Sequence, residues 1–198
     1  MLKRLSIGSA VILLTIIIAA TLNTPIRDTY PSKLFADYAK RFVDGGTIMF
    51  IEWIMPAELP KLAEFSDVIV LGTVTQRVNP SSDFRTEGEV FEIKVNTYLK
   101  APDYVDPNII LISQINGESN NPIIQPGDEC VFFLTAFYGQ KAGPGMIYSL
   151  GGDYTRYVVY GGRVYSVAFL NPENSSSDAS VIGESLPRFL ARVRNMVD

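Results

Sequence analysis

Apolar and polar positions divide the chain into three stretches of different character. From Leu5 to Leu22 the sequence carries no charge. A run of this length suits the hydrocarbon core of a bilayer, which takes about 20 residues of helix. A helix apolar on every face at an N-terminus reads as a membrane segment rather than as part of a core. From Lys33 to Val43 the period becomes helical and two-faced. Leu34, Phe35, Tyr38, Phe42 and Val43 share one face, while Lys33, Asp37, Lys40 and Arg41 take the other. Asp44-Gly45-Gly46 then supplies a stop, because glycine accepts the left-handed conformation at a helix end.

Beyond residue 66 the period falls to two. "EVFEIKVNTYL" (Glu89 to Leu99) sends Phe91, Ile93, Val95 and Thr97 one way and Val90, Glu92, Lys94 and Asn96 the other. That is the pattern of an antiparallel strand with one face on a core. "NIILISQI" (Asn108 to Ile115) and "DECVFFLTAFYG" (Asp128 to Gly139) read as further strands, each bounded by turn formers. "RYVVYGGRVYSV" reads as a hairpin with a two-residue Gly161-Gly162 loop, which sets Val159 opposite Val164 and Tyr160 opposite Arg163. A cation–π contact between Tyr160 and Arg163 follows from that register.

"DVIVLGTVT" (Asp67 to Thr75) admits two readings. A dinucleotide-binding strand would run into G-x-G-x-x-G and a helix. Here no second glycine appears before Gly88, and β-branched residues continue through Thr73, Val74, Thr75 and Val78. The nucleotide reading fails, and Gly72 is expected to permit the bulge or coil by which a small barrel closes. Strands without interleaved helices indicate an antiparallel barrel or sandwich. The expected fold is mainly β: a small antiparallel OB-like barrel with flanking helices and an N-terminal transmembrane helix. The organisation reads as a cytoplasmic tail (1–4), an anchor or signal segment (5–22), a connecting helix and apolar segment (23–57), the barrel (58–170), a polar linker (171–179) and a C-terminal amphipathic helix (180–198). In that last helix Leu186, Phe189, Leu190, Val193 and Val197 form the apolar stripe, and Arg188, Arg192 and Arg194 lie off it.

The order "ELPKLAEFSDVIVLGTV", "VNTYLKAP", "IIQPGDECVFFL", "YVVYGGRVYSV" and "SLPRFLARVRNMV" resembles secreted or membrane-anchored OB-fold-like domains, akin to the netrin and metalloproteinase-inhibitor barrels. The resemblance runs from about Glu58 to Val197 and implies an OB-like barrel; a shared fold does not by itself assign function. Those domains carry disulfides and an N-terminal cysteine that chelates the protease metal. This chain has Cys130 alone, inside a strand, so inhibition of a metalloproteinase does not carry over.

Composition narrows the chemistry. There is no histidine, which removes the commonest general base and zinc ligand, and one cysteine cannot form an intrachain disulfide. A Ser-His-Asp or Cys-His arrangement cannot be assembled from this chain. Cys130 has apolar neighbours and reads as an inert core thiol, with copper binding as the rival. No cofactor is implied. The net charge of −4, with no basic run longer than two, argues against nucleic acid as a partner. Asp83, Glu87, Glu89 and Glu92 cluster without calcium-loop spacing and read as solvated.

Lys3 and Arg4 before the apolar run favour a cytoplasmic N-terminus and an extracytoplasmic domain, secreted if the segment is cleaved. Phe50 and Trp53 in "TIMFIEWIMP" suit a membrane interface, though a strand or docking segment fits equally. The helix from Lys33 to Val43 either packs on the domain or lies in that interface. Tyr154, Tyr157, Tyr160 and Arg163 offer a candidate partner surface, together with the loop from Gln140 to Met146. Asn174 begins a glycosylation triplet. The expected function is a non-catalytic, membrane-anchored binding or accessory module, a subunit or partner of a membrane or envelope complex. The alternatives are a hydrolase whose carboxylates converge only in the fold, and a structural envelope protein.

Overall fold

A computed structural model describes residues 32–43, 58–79, 88–114, 122–136, 145–152, 155–170 and 183–197. Leu5 to Leu22, Phe50, Trp53, Tyr154, Asn174 and the linker 171–179 lie outside the described residues. Among the described residues no helix is long and apolar enough to cross a membrane.

The protein is mainly β. Its strands are β1 (Val68–Val78), β2 (Glu89–Lys100), β3 (Ile109–Gln114), β4 (Glu129–Ala136), β5 (Ile147–Leu150), β6 (Arg156–Tyr160), β7 (Arg163–Ser166) and β8 (Glu184–Ser185). The helices are α1 (Ser32–Val43), α2 (Leu59–Phe65), α3 (Val167–Leu170) and α4 (Leu186–Val197). Strands β1-β2-β3-β5-β4 follow one another in the sheet, and β4 pairs back onto β1. The result is a closed five-strand barrel, compatible with an OB-like barrel. All ring pairings are antiparallel except β3 with β5. Paired residues followed once around the ring, from Val78 through Val90, Ser113 and Ser149 to Thr135, return to β1 beside Val68. A displacement of about ten residues along β1 means strands steeply tilted to the barrel axis.

Steep tilt in so narrow a ring requires strands to coil, and the β1–β2 register is irregular at three places, between Ile69 and Val70, Leu71 and Gly72, and Val74 and Gln76. A Cβ at Gly72 would lie 2.5 Å from Ile93 Cγ2 and 2.9 Å from the Lys94 carbonyl oxygen. Glycine here is required by close approach of β2, as the sequence reading expected of a bulge or coil.

Alternation fills two cores. Val68, Val70 and Val74 of β1, Phe91 and Ile93 of β2, Ile110 and Ile112 of β3, and Cys130, Phe132 and Leu134 of β4 fill the barrel. The intervening Ile69, Leu71, Val131 and Phe133 face outward and are covered by Leu59, Leu62 and Ala63 of α2 and by Phe189 and Val193 of α4. The helix stripe read at Phe189 and Val193 is therefore used as expected. Lys100 ties α2 down by donating from Nζ to the carbonyls of Ala63 and Glu64, 3.1 and 2.9 Å away, satisfying orphan acceptors of its last turn.

Strands β5 and β6 lie along the same edge of β4. Leu150 and Tyr148 pair with Leu134 and Ala136, while Val158 and Arg156 pair with Cys130 and Phe132. The first half closes the ring, and the second leaves it to form the β6–β7 hairpin. That hairpin has the expected register, with Val159 opposite Val164 and Tyr160 opposite Arg163. Gly161 and Gly162 both have positive φ (59° and 73°), as a type I′ loop requires. Arg163 does not serve Tyr160: its Nη1 donates to the Gly183 carbonyl, a directional bond that the register alone did not show.

Helix α1 packs on the barrel. Leu34 and Tyr38 belong to the barrel's interior cluster, so these two residues of the apolar face are spent on the core. Arg41, on the polar face of the pattern, is drawn inward to a bidentate pair with Asp128 at 2.6 and 3.1 Å.

Candidate functional site

Two places in the barrel stand apart from ordinary packing, at opposite ends of β3. At its start, a groove of about 230 Å³ opens among Val105, Asp106, Ile109, Leu111, Met146 and Tyr148. The β2–β3 loop forms one wall. Asp106 Oδ1 accepts from the backbone N–H groups of Asn108 and Ile109, a turn that starts β3, and Tyr98 donates its hydroxyl to the Asp106 carbonyl at 2.6 Å. Ile109 is left 43% exposed at the mouth, and Tyr104 on the same loop 38%. Inside, Tyr148 is buried and its hydroxyl has no hydrogen-bond partner among the described residues. Asp106 is the charged residue of the lining, and Asp67 and Tyr104 act electrostatically on Tyr148. The groove is thus apolar with an acidic margin.

At the far end of β3, α1 covers a polar cluster. Gln114 Nε2 and Arg156 Nη2 both donate to the Pro122 carbonyl, at 3.1 and 2.6 Å, and Gln114 Oε1 accepts from the Ile124 N–H. These bonds pin the segment before β4 across the barrel mouth. Asp128 accepts from Arg41 and from the Gln125 N–H, and Arg41 lies over the Tyr38 ring at 4.5 Å. Sequence reading did not find Arg156. An arginine inside an alternating strand reads as a surface residue, and only the pairing with Phe132 shows that it points into the barrel.

The residues singled out from sequence separate. Tyr157 is 3% exposed and packs on Phe133 and Phe189, with ring centroids 5.5 and 5.1 Å apart, because its register places it on the helix-covered face. It is a core residue and not part of a docking surface. Tyr160 and Arg163 are exposed beside the hairpin loop. Of the loop from Gln140 to Met146, Gly145 and Met146 line the groove and the rest lies outside the described residues.

The carboxylates are dispersed in local bonds. Glu184 pairs with Arg188 and Arg192, Glu89 with Arg77, and Glu58 with Lys61. Glu92 accepts from Thr75 and Gln76, and Asp67 from the Ala136 N–H. Among the described residues no three of His, Cys, Asp and Glu are grouped to hold a metal. Cys130 is fully buried in the barrel, and burial pushes its thiol up to about 12, against an opposing pull from Arg156. A thiol so placed is a poor nucleophile and metal ligand.

Burial also pushes the Tyr98 and Tyr148 phenols up from 10.0 to about 12, with Asp106 adding to the first and Tyr104 to the second. In the unfolded chain these groups and Cys130 release protons near their ordinary values. The folded state therefore binds more protons between about pH 9 and 12, and stability falls as pH rises through that window. The expected melting temperature is level from neutral pH to about 9 and drops steeply above 10, read by circular dichroism across the series. Tyr148→Phe should flatten the descent by removing one of the titrating groups.

No protein-family model matches the chain, and no curated protein matches it. What is shown is the architecture, a closed five-strand barrel sealed at one end by a helix and grooved at the other.

Proposed function

We propose that the protein is a membrane-anchored, extracytoplasmic binding or accessory module, non-catalytic, that holds a subunit of a membrane or envelope complex near the bilayer. The observation that carries this reading is the groove at the start of β3 and β5, an apolar recess with Ile109 exposed beside it. A rigid scaffold presenting an apolar recess, with a hydroxyl inside it that has no partner among the described residues, suits recognition of a protruding side chain of a partner protein. The uncharged run from Leu5 to Leu22 supplies the anchor, with Lys3 and Arg4 on the cytoplasmic side. The strand order supports kinship with netrin- and inhibitor-type OB-like barrels as part of the same proposal, without their metal-chelating cysteine.

The test is purification of the tagged full-length chain in mild detergent from its native membrane, beside Ile109→Glu and Tyr148→Phe. The expected result is a defined set of subunits recovered in constant ratio with the parent. Ile109→Glu should reduce that recovery at least tenfold, while its melting temperature stays close to the parent's because the site is exposed. Tyr148→Phe should keep full stability, since the hydroxyl it removes has no partner to lose. Full-length protein that emerges alone, or recovery indifferent to Ile109→Glu, would overturn the reading.

A further inference from the structure

Arg156 has no solvent exposure and is among the largest fully buried side chains of the protein. It stands opposite Phe132 in the β4–β6 pairing, so the pleat directs it into the barrel. Nη2 donates to the Pro122 carbonyl, while Nε and Nη1 have no hydrogen-bond partner among the described residues. The Tyr38 hydroxyl, buried under α1, has none either. Charge on Arg156 acts directly on both Tyr38 and Cys130, which places the three groups in one neighbourhood.

The acid at this end of the barrel, Asp128, is already committed. Its Oδ2 accepts from Arg41 Nη1 and the Gln125 N–H, and its Oδ1 accepts from Arg41 Nη2. Glu129, the other acid acting on Cys130, turns its carboxylate to the exposed side, where it accepts from Asn96 Nδ2 at 3.0 Å. On the inner side two guanidinium groups thus face one carboxylate. The Cys130 thiol cannot supply the missing charge, because burial holds it in the neutral form. A buried lysine or histidine escapes such a position by giving up its proton, but a guanidinium does not. An unpaired buried charge is among the most unfavourable arrangements a fold can contain.

We propose that the α1-covered end of the barrel is a binding site for a small monovalent anion of chloride size, held by Nε and Nη1 of Arg156 with the Tyr38 hydroxyl as a further donor. One negative charge balances the excess cation. Arg156 is 0% and Tyr38 1% exposed, so these donors face the interior rather than solvent. This site is distinct from the groove and does not depend on the partner-binding reading.

Thermal unfolding of the full-length chain in a non-ionic detergent, with chloride replacing gluconate at fixed ionic strength, tests it. A ligand bound only by the folded state raises the melting temperature with its concentration, here by roughly 3–5 °C per tenfold increase once the site is mostly filled. The parent should show this slope, and Arg156→Met should show none. Tyr38→Phe keeps the ring and should shift half-saturation to higher chloride. Should Arg156→Met fail to fold, the parent's chloride slope and its displacement in Tyr38→Phe carry the test together. Identical melting in chloride and gluconate overturns the proposal, as does a chloride slope that survives in Arg156→Met or is unmoved by Tyr38→Phe.

Discussion

Gly72→Ala is expected to lower stability by about 3 kcal/mol, the upper part of the range for forcing atoms into a packed interior. The added methyl would meet Ile93 Cγ2 at 2.5 Å and the Lys94 carbonyl oxygen at 2.9 Å. A side-chain tip can swing aside, but the carbonyl belongs to the β1–β2 ladder, where Thr73 and Lys94 are paired. Relief requires the two strands to separate at one of the register shifts between them. Gly72→Val should not fold at all. The check is chemical denaturation of Gly72→Ala, Ile93→Ala and the double variant. Ile93→Ala removes the closer of the two clashing atoms, so it should cost less in the Gly72→Ala background than alone, with a coupling of about 1 kcal/mol. Strict additivity would mean that the two residues do not crowd one another, and the closing role given to Gly72 would fail.

Asp128→Ala is expected to have the next largest effect, about 3 kcal/mol, the scale for removing one partner of a largely buried ion pair. The two side chains are 15% and 12% exposed, so solvent does little to replace what is lost. Arg41 would keep its charge with only the Tyr38 ring beneath it, and the Gln125 N–H would lose its acceptor. The consequence should be local before it is global. Amide protection in α1 is expected to fall well before protection in β1 and β4, because the helix is held by Leu34, Tyr38 and this pair while the ring closes on itself. Uniform loss of protection over helix and barrel alike would show that α1 is not a separately releasable cover. Arg41→Ala should cost less than Asp128→Ala, since it leaves Asp128 its bond to Gln125.

Much of the barrel was legible in sequence for one reason: a period of two names a strand, and turn formers name its ends. Strand β2, the β6–β7 register and the Phe189–Val193 stripe of α4 follow from such local signals. The candidate sites were less legible. Of the tyrosines that suggested a partner surface, Tyr157 turned inward because strand β6 has two covered faces, one on the barrel interior and one under α4. Alternation identifies two faces of a strand, and it identifies solvent only when one of them is wet. The groove was partly anticipated through Met146, yet its other wall comes from the β2–β3 loop, some forty residues away, whose motif "DYVDPNI" gives no local sign of a recess.

By itself, then, the sequence determined the strand-rich class, the hairpin and the helix faces, all of which depend on neighbours within a few residues. It also determined the chemistry that the chain lacks, since a missing histidine is missing in any fold. Only the tertiary structure decided which way the polar residues of the barrel point. Arg41 meets Asp128 across 87 residues, and Arg156 meets Pro122 across 34. Docking of α1 on the barrel makes the first pair, and the pairing of β6 along β4 makes the second. A charge pattern read along the chain cannot carry either contact, because each joins elements that no local segment contains.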